Sequence, residues 1–231
     1  MEKTEEKTTN NTTIEEMIEA GLGFGHQASK LHPKMKPYIT KMKDGIGLIN
    51  LEITREKLEE ALKFLEQAKK EQKTFLFVST SPSLRSIVKD TAEKTNSFYV
   101  VERWIGGLLT NFSEIKKRLK YFEELEAKIA EPDFTEKYVK KERLQIMKTL
   151  ERLKAKFGGV KGMEKIPDVV IIINLEKDKL ALLEALGVQK TIVAITDTNV
   201  DPTEVNYMIP ANDDAVSSVT YILDKISKSI E

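Results

Sequence analysis

The most constraining feature of this chain is the run Asp168-Val-Val-Ile-Ile-Ile-Asn174, in which five β-branched residues follow one another between polar ends. A strand with one wet face would alternate apolar and polar residues, whereas an unbroken apolar run is typical of a strand buried on both faces. Such strands occur in parallel sheets that are covered by helices on either side. The run therefore predicts an α/β architecture.

Further apolar segments alternate with amphipathic helical patterns along the chain. The strands are predicted at residues 46–51, 74–78, 98–101, 168–174 and 191–196. Helical patterns cover residues 54–70, 177–186 and 213–230, Ser81-Pro82 opens a further helix, and a short apolar piece at 207–209 precedes the last one. Strands separated by helices in this way predict a five-stranded parallel sheet between two helical layers.

Two helical patterns are inserted between the third and fourth predicted strands. Apolar residues recur at spacings of three and four on both sides of Pro132. This pattern predicts an antiparallel helical hairpin with coiled-coil-like packing. Helices of about 20 residues are about 30 Å long, so the hairpin is expected to project well beyond the sheet. The predicted division of the chain is a disordered tail at 1–12, an α/β domain at 13–110 and 162–231, and a hairpin at 111–161.

Composition excludes several classes of protein. The chain has no cysteine, so disulfides, thiolate metal sites and cysteine nucleophiles are excluded. No apolar run approaches the roughly 20 residues that cross a bilayer, so no membrane partner is expected and a cytoplasmic location is the default. The 37 basic and 37 acidic residues balance, but residues 135–161 hold nine basic against three acidic residues, and residues 162–231 hold six against twelve.

Positive charge is concentrated in irregular segments. Residues 26–43 contain five lysines and no acid, and Arg103 opens the glycine-rich stretch Arg-Trp-Ile-Gly-Gly. Amines and exposed rings on such segments suit a phosphate backbone, whereas for Trp104 itself packing is the favoured role. The predicted RNA-binding residues are Lys30, His32, Lys34, Lys36, Lys41, Lys43, Arg103, Lys116 and Lys117.

Acidic residues near the ends of the last strands offer a second candidate site. Asp197, Asp201 and Asp213 could meet His26 around a structural Mg or Zn ion, although helix capping and turn formation explain these aspartates more simply. The glycines at 21, 23 and 25 do not match a dinucleotide loop, and neither a Ser-His-Asp order nor a zinc-protease helix is present. The chain is therefore predicted to be non-enzymatic, without a cofactor or a small-molecule substrate.

Five segments of the chain resemble the ribosomal protein S2 family of the bacterial small subunit. They are Gly-Phe-Gly-His-Gln, His-Pro-Lys-Met-Lys-Pro-Tyr-Ile, Arg-Trp-Ile-Gly-Gly-Leu-Leu-Thr-Asn-Phe, Asp-Thr-Asn-Val-Asp-Pro and Ile-Pro-Ala-Asn-Asp-Asp-Ala. The resemblance implies a flavodoxin-like three-layer α/β/α sandwich with an inserted coiled-coil hairpin. It also implies a structural role in translation, with small-subunit ribosomal RNA, neighbouring ribosomal proteins and the large messenger-binding ribosomal protein as partners.

Two other functions remain open from the sequence. One is a small α/β enzyme or sensor that binds a nucleotide or a metal at the edge formed by Asp197, Asp201 and Asp213. The other is an RNA-binding regulator that acts away from the ribosome. Sedimentation with small subunits would separate the ribosomal function from both.

Overall fold

The structure of the protein is a computed structural model that describes residues 13–231. The disordered tail predicted for residues 1–12 lies outside the described residues. Within residues 13–231 the chain forms a small antiparallel sheet and a larger parallel sheet, and α-helices cover both faces of the larger one. None of the helices in this part of the chain has the length and apolar character that crossing a bilayer requires.

The small sheet follows the first helix, α1 (Ile14–Glu19). Its strands are β1 (Phe24–Gln27), β2 (Ile39–Lys43) and β3 (Ile46–Ile49), and β3 lies in the middle. Asp44 and Gly45 join β2 to β3 with φ angles of 50° and 79°. An Asp-Gly pair with left-handed backbone is typical of a two-residue hairpin turn, which explains why β2 and β3 pair locally.

The strand predicted at 46–51 is therefore assigned to the wrong sheet. β3 pairs antiparallel with β1 and β2, and it has no partner in the larger sheet. The Asp44-Gly45 turn signal precedes the strand directly and decides this pairing. The segment is a strand, as its apolar residues predict, but its partners are β1 and β2.

The larger sheet contains five parallel strands, as the sequence predicts. They are β4 (Phe75–Val78), β5 (Phe98–Val100), β6 (Val169–Ile172), β7 (Thr191–Thr196) and β8 (Tyr207–Pro210). Their spatial order is β5-β4-β6-β7-β8, and every neighbouring pair is parallel. This is the flavodoxin-like order, with the direction of winding reversing between β4 and β6. The piece at 207–209 thus supplies the fifth strand.

The remaining helices follow in chain order. They are α2 (Leu51–Lys70), α3 (Arg85–Lys94), α4 (Phe112–Ala130), α5 (Phe134–Lys137), α6 (Lys140–Phe157), α7 (Lys179–Gly187) and α8 (Val216–Ile230). Buried residues of α2, α3 and α8 pack on one face of the larger sheet, and those of α4 and α7 pack on the other.

Strand β6 shows why the run at 168–174 is apolar throughout. Val169 and Ile171 belong to the core beneath α2, α3 and α8, whereas Val170 and Ile172 belong to the core beneath α4 and α7. Successive side chains of a strand point to opposite faces, so a strand between two helical layers must be apolar at every position. The three-layer α/β/α sandwich is thereby confirmed.

Helices α4 and α6 contact each other and occupy the predicted insertion. The second helical pattern is interrupted, because the short α5 ends at Lys137 and α6 begins only at Lys140. Leu150 and Leu153 of α6 pack on the core that contains α4 and α7. That residues 111–161 behave as a domain of their own stays a prediction.

The base of the insertion is held against the edge of the larger sheet. Gly158 and Gly159 follow α6 in a 3₁₀ turn that ends at Val160. A Cβ atom at Gly159 would overlap the carbonyl oxygen and the ring of Tyr99 in β5. Only glycine allows the turn to approach β5 this closely.

Candidate nucleic-acid interface

The residues 28–43 form an exposed basic surface, which we call the lysine segment. It consists of two 3₁₀ turns, Ala28–Lys30 and Pro33–Tyr38, followed by β2, so it is more regular than the sequence predicts. Four lysines of the segment are exposed and form no ion pair with any carboxylate of residues 13–231. They are Lys30, Lys36, Lys41 and Lys43.

Three contacts fix the lysine segment to the loop that follows β7. Met35 is fully buried, and the backbone N–H of His32 donates to the carbonyl oxygen of Thr198 at 2.8 Å. Lys34 Nζ lies 2.6 Å from Asp201 Oδ2 and 2.9 Å from Thr203 Oγ1. The Lys34 ammonium, with hydrogen bonds from Thr203, holds the pKa of Asp201 well below its usual range. Lys34 therefore attaches the lysine segment to the loop after β7, in addition to contributing positive charge.

His32 has a structural task of its own. Its ring Nδ1 accepts a hydrogen bond from the backbone N–H of Lys34 at 3.3 Å and caps the second 3₁₀ turn. The tautomer that accepts at Nδ1 carries its N–H on Nε2. Whether Nε2 donates to RNA stays a prediction.

A second basic residue, Arg103, lies on the loop formed by residues 101–111, which follows β5. Its side chain is exposed and forms no ion pair within the described part of the chain. Trp104 is 8% exposed and belongs to the core beneath α4 and α7, which confirms the packing role predicted for it.

The carboxylate of Glu184 in α7 organises loop 101–111. Its Oε1 accepts from Trp104 Nε1 at 2.9 Å and from the backbone N–H of Gly107 at 2.8 Å. Its Oε2 accepts from the backbone N–H groups of Leu109 at 3.1 Å and Thr110 at 3.3 Å, and from the Thr110 hydroxyl at 3.2 Å. Burial alone would favour the protonated acid, but these donors prevail and lower the pKa of Glu184.

The lysines at the start of α4 differ in their surroundings. Lys116 is exposed and forms no ion pair within residues 13–231, whereas Lys117 Nζ lies 2.6 Å from Glu114 Oε1. Both line a cleft of about 790 Å³ between α4 and residues 162–164. Loop 101–111 leads directly into α4, so Arg103 and Lys116 are presented by one continuous piece of backbone.

The lysine segment and loop 101–111 both lie on the side of the larger sheet where the carboxyl ends of its strands meet. Loop 101–111 follows the carboxyl end of β5, and the lysine segment contacts Thr198 and Asp201 beyond the carboxyl end of β7. In open α/β sheets this edge is where ligands bind. The structure therefore places His32, Lys34 and Arg103 beyond the carboxyl ends of the parallel strands, on two separate loops.

The candidate metal ligands are only partly brought together. His26 Nδ1 lies 3.1 Å from Asp197 Oδ1, and His26 Nε2 lies 3.6 Å from Asp214 Oδ2. Asp201 is instead paired with Lys34. Within residues 13–231 no group of three or more histidine and acidic side chains has an arrangement that could hold a metal ion.

Asp213 is the most perturbed acid of this cluster. Its side chain is 1% exposed, and neither carboxylate oxygen has a hydrogen-bond partner in the described part of the chain. Burial, together with the negative charges of Asp197 and Asp214, raises the pKa of Asp213 to about 8. The close contact with the Asp197 carboxylate in turn raises the pKa of His26, against the opposing effect of its burial.

The crevice between the carboxyl ends of β4 and β6, where the direction of winding reverses, is occupied by a side chain of the protein. Asp178 is buried, and its Oδ1 accepts from the Thr80 hydroxyl at 2.7 Å while both its oxygens accept from the Thr80 N–H. In flavodoxin-like folds a nucleotide phosphate would use such donors at this position. The carboxylate of Asp178 occupies them here.

Two buried carboxylates that shape the loops of this region, Glu184 and Asp178, are absent from the residues predicted from the sequence. A detectable signal existed for Glu184, because it shares a helical face with the apolar residues Ala181 and Val188 at spacings of three and four. An acid on an apolar helix face needs buried donors, which points to a polar network. For Asp178 we find no comparable local pattern.

Comparison with known proteins agrees with the motif resemblance. A family model described as Ribosomal protein S2 matches residues 17–231. The chain is 42% identical to the small ribosomal subunit protein uS2 of Dictyoglomus thermophilum over 217 residues, which cover 94% of this chain and 88% of that relative. It is 42% identical over 218 residues to the uS2 of Coprothermobacter proteolyticus, of which 81% is covered, and 40% identical to the uS2 of Petrotoga mobilis, of which 75% is covered.

Proposed function

Because the chain belongs to the ribosomal protein S2 family and is a structural component of the small ribosomal subunit, we propose that it binds ribosomal RNA through the lysine segment and loop 101–111. As in its family, its place of action is the ribosome in the cytoplasm. The family is a structural one, and no observation within residues 13–231 favours the alternative of an enzyme or a nucleotide sensor.

The observation that carries the proposal is a set of unpaired cations on a segment that is attached to the α/β body. Lys30, Lys36, Lys41 and Lys43 are exposed and lack carboxylate partners in the described chain, and Met35 of the same segment is fully buried. A cation that has no intramolecular partner can neutralise a phosphate and release a counterion without first breaking an ion pair. These lysines are therefore proposed as direct phosphate contacts.

The other predicted residues are proposed to contribute in two ways. Arg103 and Lys116 are exposed and unpaired in the described chain, so they too can contact phosphate directly. Lys34 and Lys117 would have to exchange Asp201 and Glu114 for a phosphate, so their contribution to affinity is smaller.

Protein partners belong to the same proposal. The family membership supports contacts with neighbouring small-subunit proteins and help in recruiting the large messenger-binding ribosomal protein. The surfaces of the α/β body and of helices α4 and α6 that do not contact RNA are proposed for these protein contacts.

The salt dependence of RNA binding tests the proposal. Replacing Lys36, Lys41 and Lys43 together with Ala should weaken binding to small-subunit ribosomal RNA and reduce the slope of log K against log salt by about 0.7 to 0.9 per lost contact. The matched control replaces Lys63, Lys94 and Lys228, which are exposed on α2, α3 and α8. An unchanged slope in the first variant, or an equal change in both, would count against the lysine segment.

A further inference from the structure

The outer side of α6 carries a groove that neither the sheet nor α4 fills. It lies between the end of α4, the short α5 and the first two turns of α6, and its volume is about 430 Å³. We call it the α6 groove. Its lining includes Ile129, Phe134, Lys140, Arg143, Leu144 and Met147.

The groove is apolar and open to solvent. Leu144 is 50% exposed and Met147 is 49% exposed, and both lie on the same helical face because they are three residues apart. Ile146, Leu150 and Leu153 lie on a different face of α6 and are partly buried. Helix α6 is therefore apolar on two sides, and clustered exposed apolar side chains of this kind mark interaction sites.

The surroundings of the groove are strongly basic. Helix α6 contains seven lysine or arginine residues and two glutamates. None of the seven cations is paired with a carboxylate anywhere in residues 13–231. Lys140 and Arg143 line the groove itself, and the Arg143 Nε–H is buried without an acceptor in the described chain.

We propose that the α6 groove binds an acidic amphipathic helix of a neighbouring protein in the small subunit. The proposal rests on the proposed ribosomal function and specifies a partner for its helical insertion. A helix that presents apolar residues at spacings of three and four would cover Leu144 and Met147. Its acidic flanks would pair with Lys140 and Arg143, so charge and shape are complementary.

RNA fits the groove less well than a protein helix does. Phosphates use amines and guanidinium groups, but they gain nothing from exposed leucine and methionine side chains. Unpaired bases stack on aromatic rings, and Phe134, the aromatic residue that lines the groove, is only 6% exposed. The apolar lining therefore decides in favour of a protein.

Site-specific crosslinking in assembled subunits tests the proposal. The full chain carrying Leu144→p-benzoylphenylalanine is incorporated into small subunits reconstituted with their complete set of proteins and RNA, and the crosslinked product is identified by mass spectrometry. We expect a peptide of another ribosomal protein that has net negative charge and apolar residues at helical spacing. A crosslink to RNA, to a second copy of this chain or to a basic or polar peptide, or the absence of a crosslink, would overturn the inference.

Charge variants with matched controls sharpen the result. In the crosslinking chain, Lys140→Glu with Arg143→Glu should reduce the crosslink yield at least tenfold, whereas Lys63→Glu on α2 should leave it unchanged. A second reporter at Met147 should give the same partner peptide, and a reporter at Leu183, which is 51% exposed on α7, should not. Equal losses with the groove and control charge variants would contradict the proposal.

Co-sedimentation separates this inference from the proposed function. Both the unmodified chain and the reporter chain are tested, after circular dichroism has shown that they are equally folded. If neither chain sediments with small subunits, the ribosomal function fails. If only the reporter chain fails, position 144 is required for assembly and the Met147 reporter decides the identity of the partner. If both chains assemble and the crosslink leads to RNA, the ribosomal function stands and the α6 groove inference is wrong.

Discussion

The indole Nε1 of Trp104 donates a hydrogen bond to Oε1 of Glu184 at 2.9 Å, and this buried contact ties loop 101–111 to helix α7. The same carboxylate accepts four further hydrogen bonds from Gly107, Leu109 and Thr110. One acidic side chain thus determines the shape of the loop that presents Arg103 and leads into α4.

Replacing Glu184 should destabilise the protein and loosen this loop. Glu184→Ala leaves buried donors of Trp104 and Leu109 without an acceptor, so we expect a loss of about 2 to 4 kcal/mol in the free energy of unfolding, measured in urea. Glu184→Gln keeps one acceptor oxygen and should lose less. Equal losses in the two variants would show that packing, rather than hydrogen bonding, explains the role of Glu184.

The stability contribution of Glu184 should also depend on pH. Its pKa is lower in the folded than in the unfolded protein, so its contribution is present above the unfolded value of about 4.5 and is lost as the pH falls through the folded value. Comparison of wild type and Glu184→Gln in urea between pH 3 and pH 6 should therefore show a difference that shrinks toward acid. A difference that is constant over this range would contradict the prediction.

Asp213 should show the opposite dependence. Its pKa of about 8 in the folded protein lies above the unfolded value of 3.8, so the protonated acid favours folding at low pH and this contribution is lost as the pH rises toward 8. Asp213→Asn should therefore stabilise the protein near pH 7.5 by up to about 5 kcal/mol, because the buried acid keeps its proton over the roughly 3.7 units between 3.8 and pH 7.5 and each unit corresponds to about 1.4 kcal/mol.

The pH profile distinguishes this effect from a simple change in packing. The stabilisation by Asp213→Asn should be much smaller at pH 4 than at pH 7.5, as measured by urea unfolding. Asp214→Asn serves as the matched control, because Asp214 is the next residue in the chain but its side chain is 54% exposed. Stabilisation of the Asp213 variant that is independent of pH would disprove the assigned protonation.

Met35 should connect stability with RNA binding. It is a fully buried residue of the lysine segment, so Met35→Ala should cost about 2 to 5 kcal/mol in the free energy of unfolding through the cavity it leaves. Met35→Leu keeps the volume and should cost less than about 1.5 kcal/mol. At a temperature where the Ala variant remains folded, its RNA affinity, measured by filter binding, should still fall. The reason is that the buried Met35 side chain no longer holds the lysine segment against the α/β body.

Gly159 should tolerate no side chain. In Gly159→Ala the new methyl group would overlap the Tyr99 carbonyl, so we expect a destabilisation of more than about 3 kcal/mol and a loosened base of the helical insertion. Gly106→Ala is the matched control, since no atom lies within 4 Å of the added Cβ there. Thermal unfolding should show a large decrease in Tm for the first variant and almost none for the second.

Local sequence patterns predicted most of the architecture. The continuous apolar run around Ile171 identified a strand buried on both faces, and the alternation of helices and strands identified a parallel sheet. The apolar pattern alone predicts the wrong sheet for β3, because the left-handed Asp44-Gly45 turn pairs it with β2. The strand at Tyr207–Pro210 was too short to be recognised from periodicity, and its identity depends on pairing with β7.

The candidate site was predictable as a set of residue types but not as a geometry. The lysines were recognised because a run without acids is visible in the sequence. The ion pair between Lys34 and Asp201 cannot be predicted from the sequence, because 167 residues separate the two positions. The grouping of His26 with Asp197 and Asp214 in place of Asp201 likewise depends on which loops meet beyond the ends of the strands.

The sequence by itself determined the strand and helix periods, the location of the basic segments and the family, because these depend on residues that are close together along the chain. Only the tertiary structure decided which cations remain unpaired, which acids become buried and which loops share an edge of the sheet. Ion pairing and desolvation depend on distances in space, and the pairing order of the strands sets those distances.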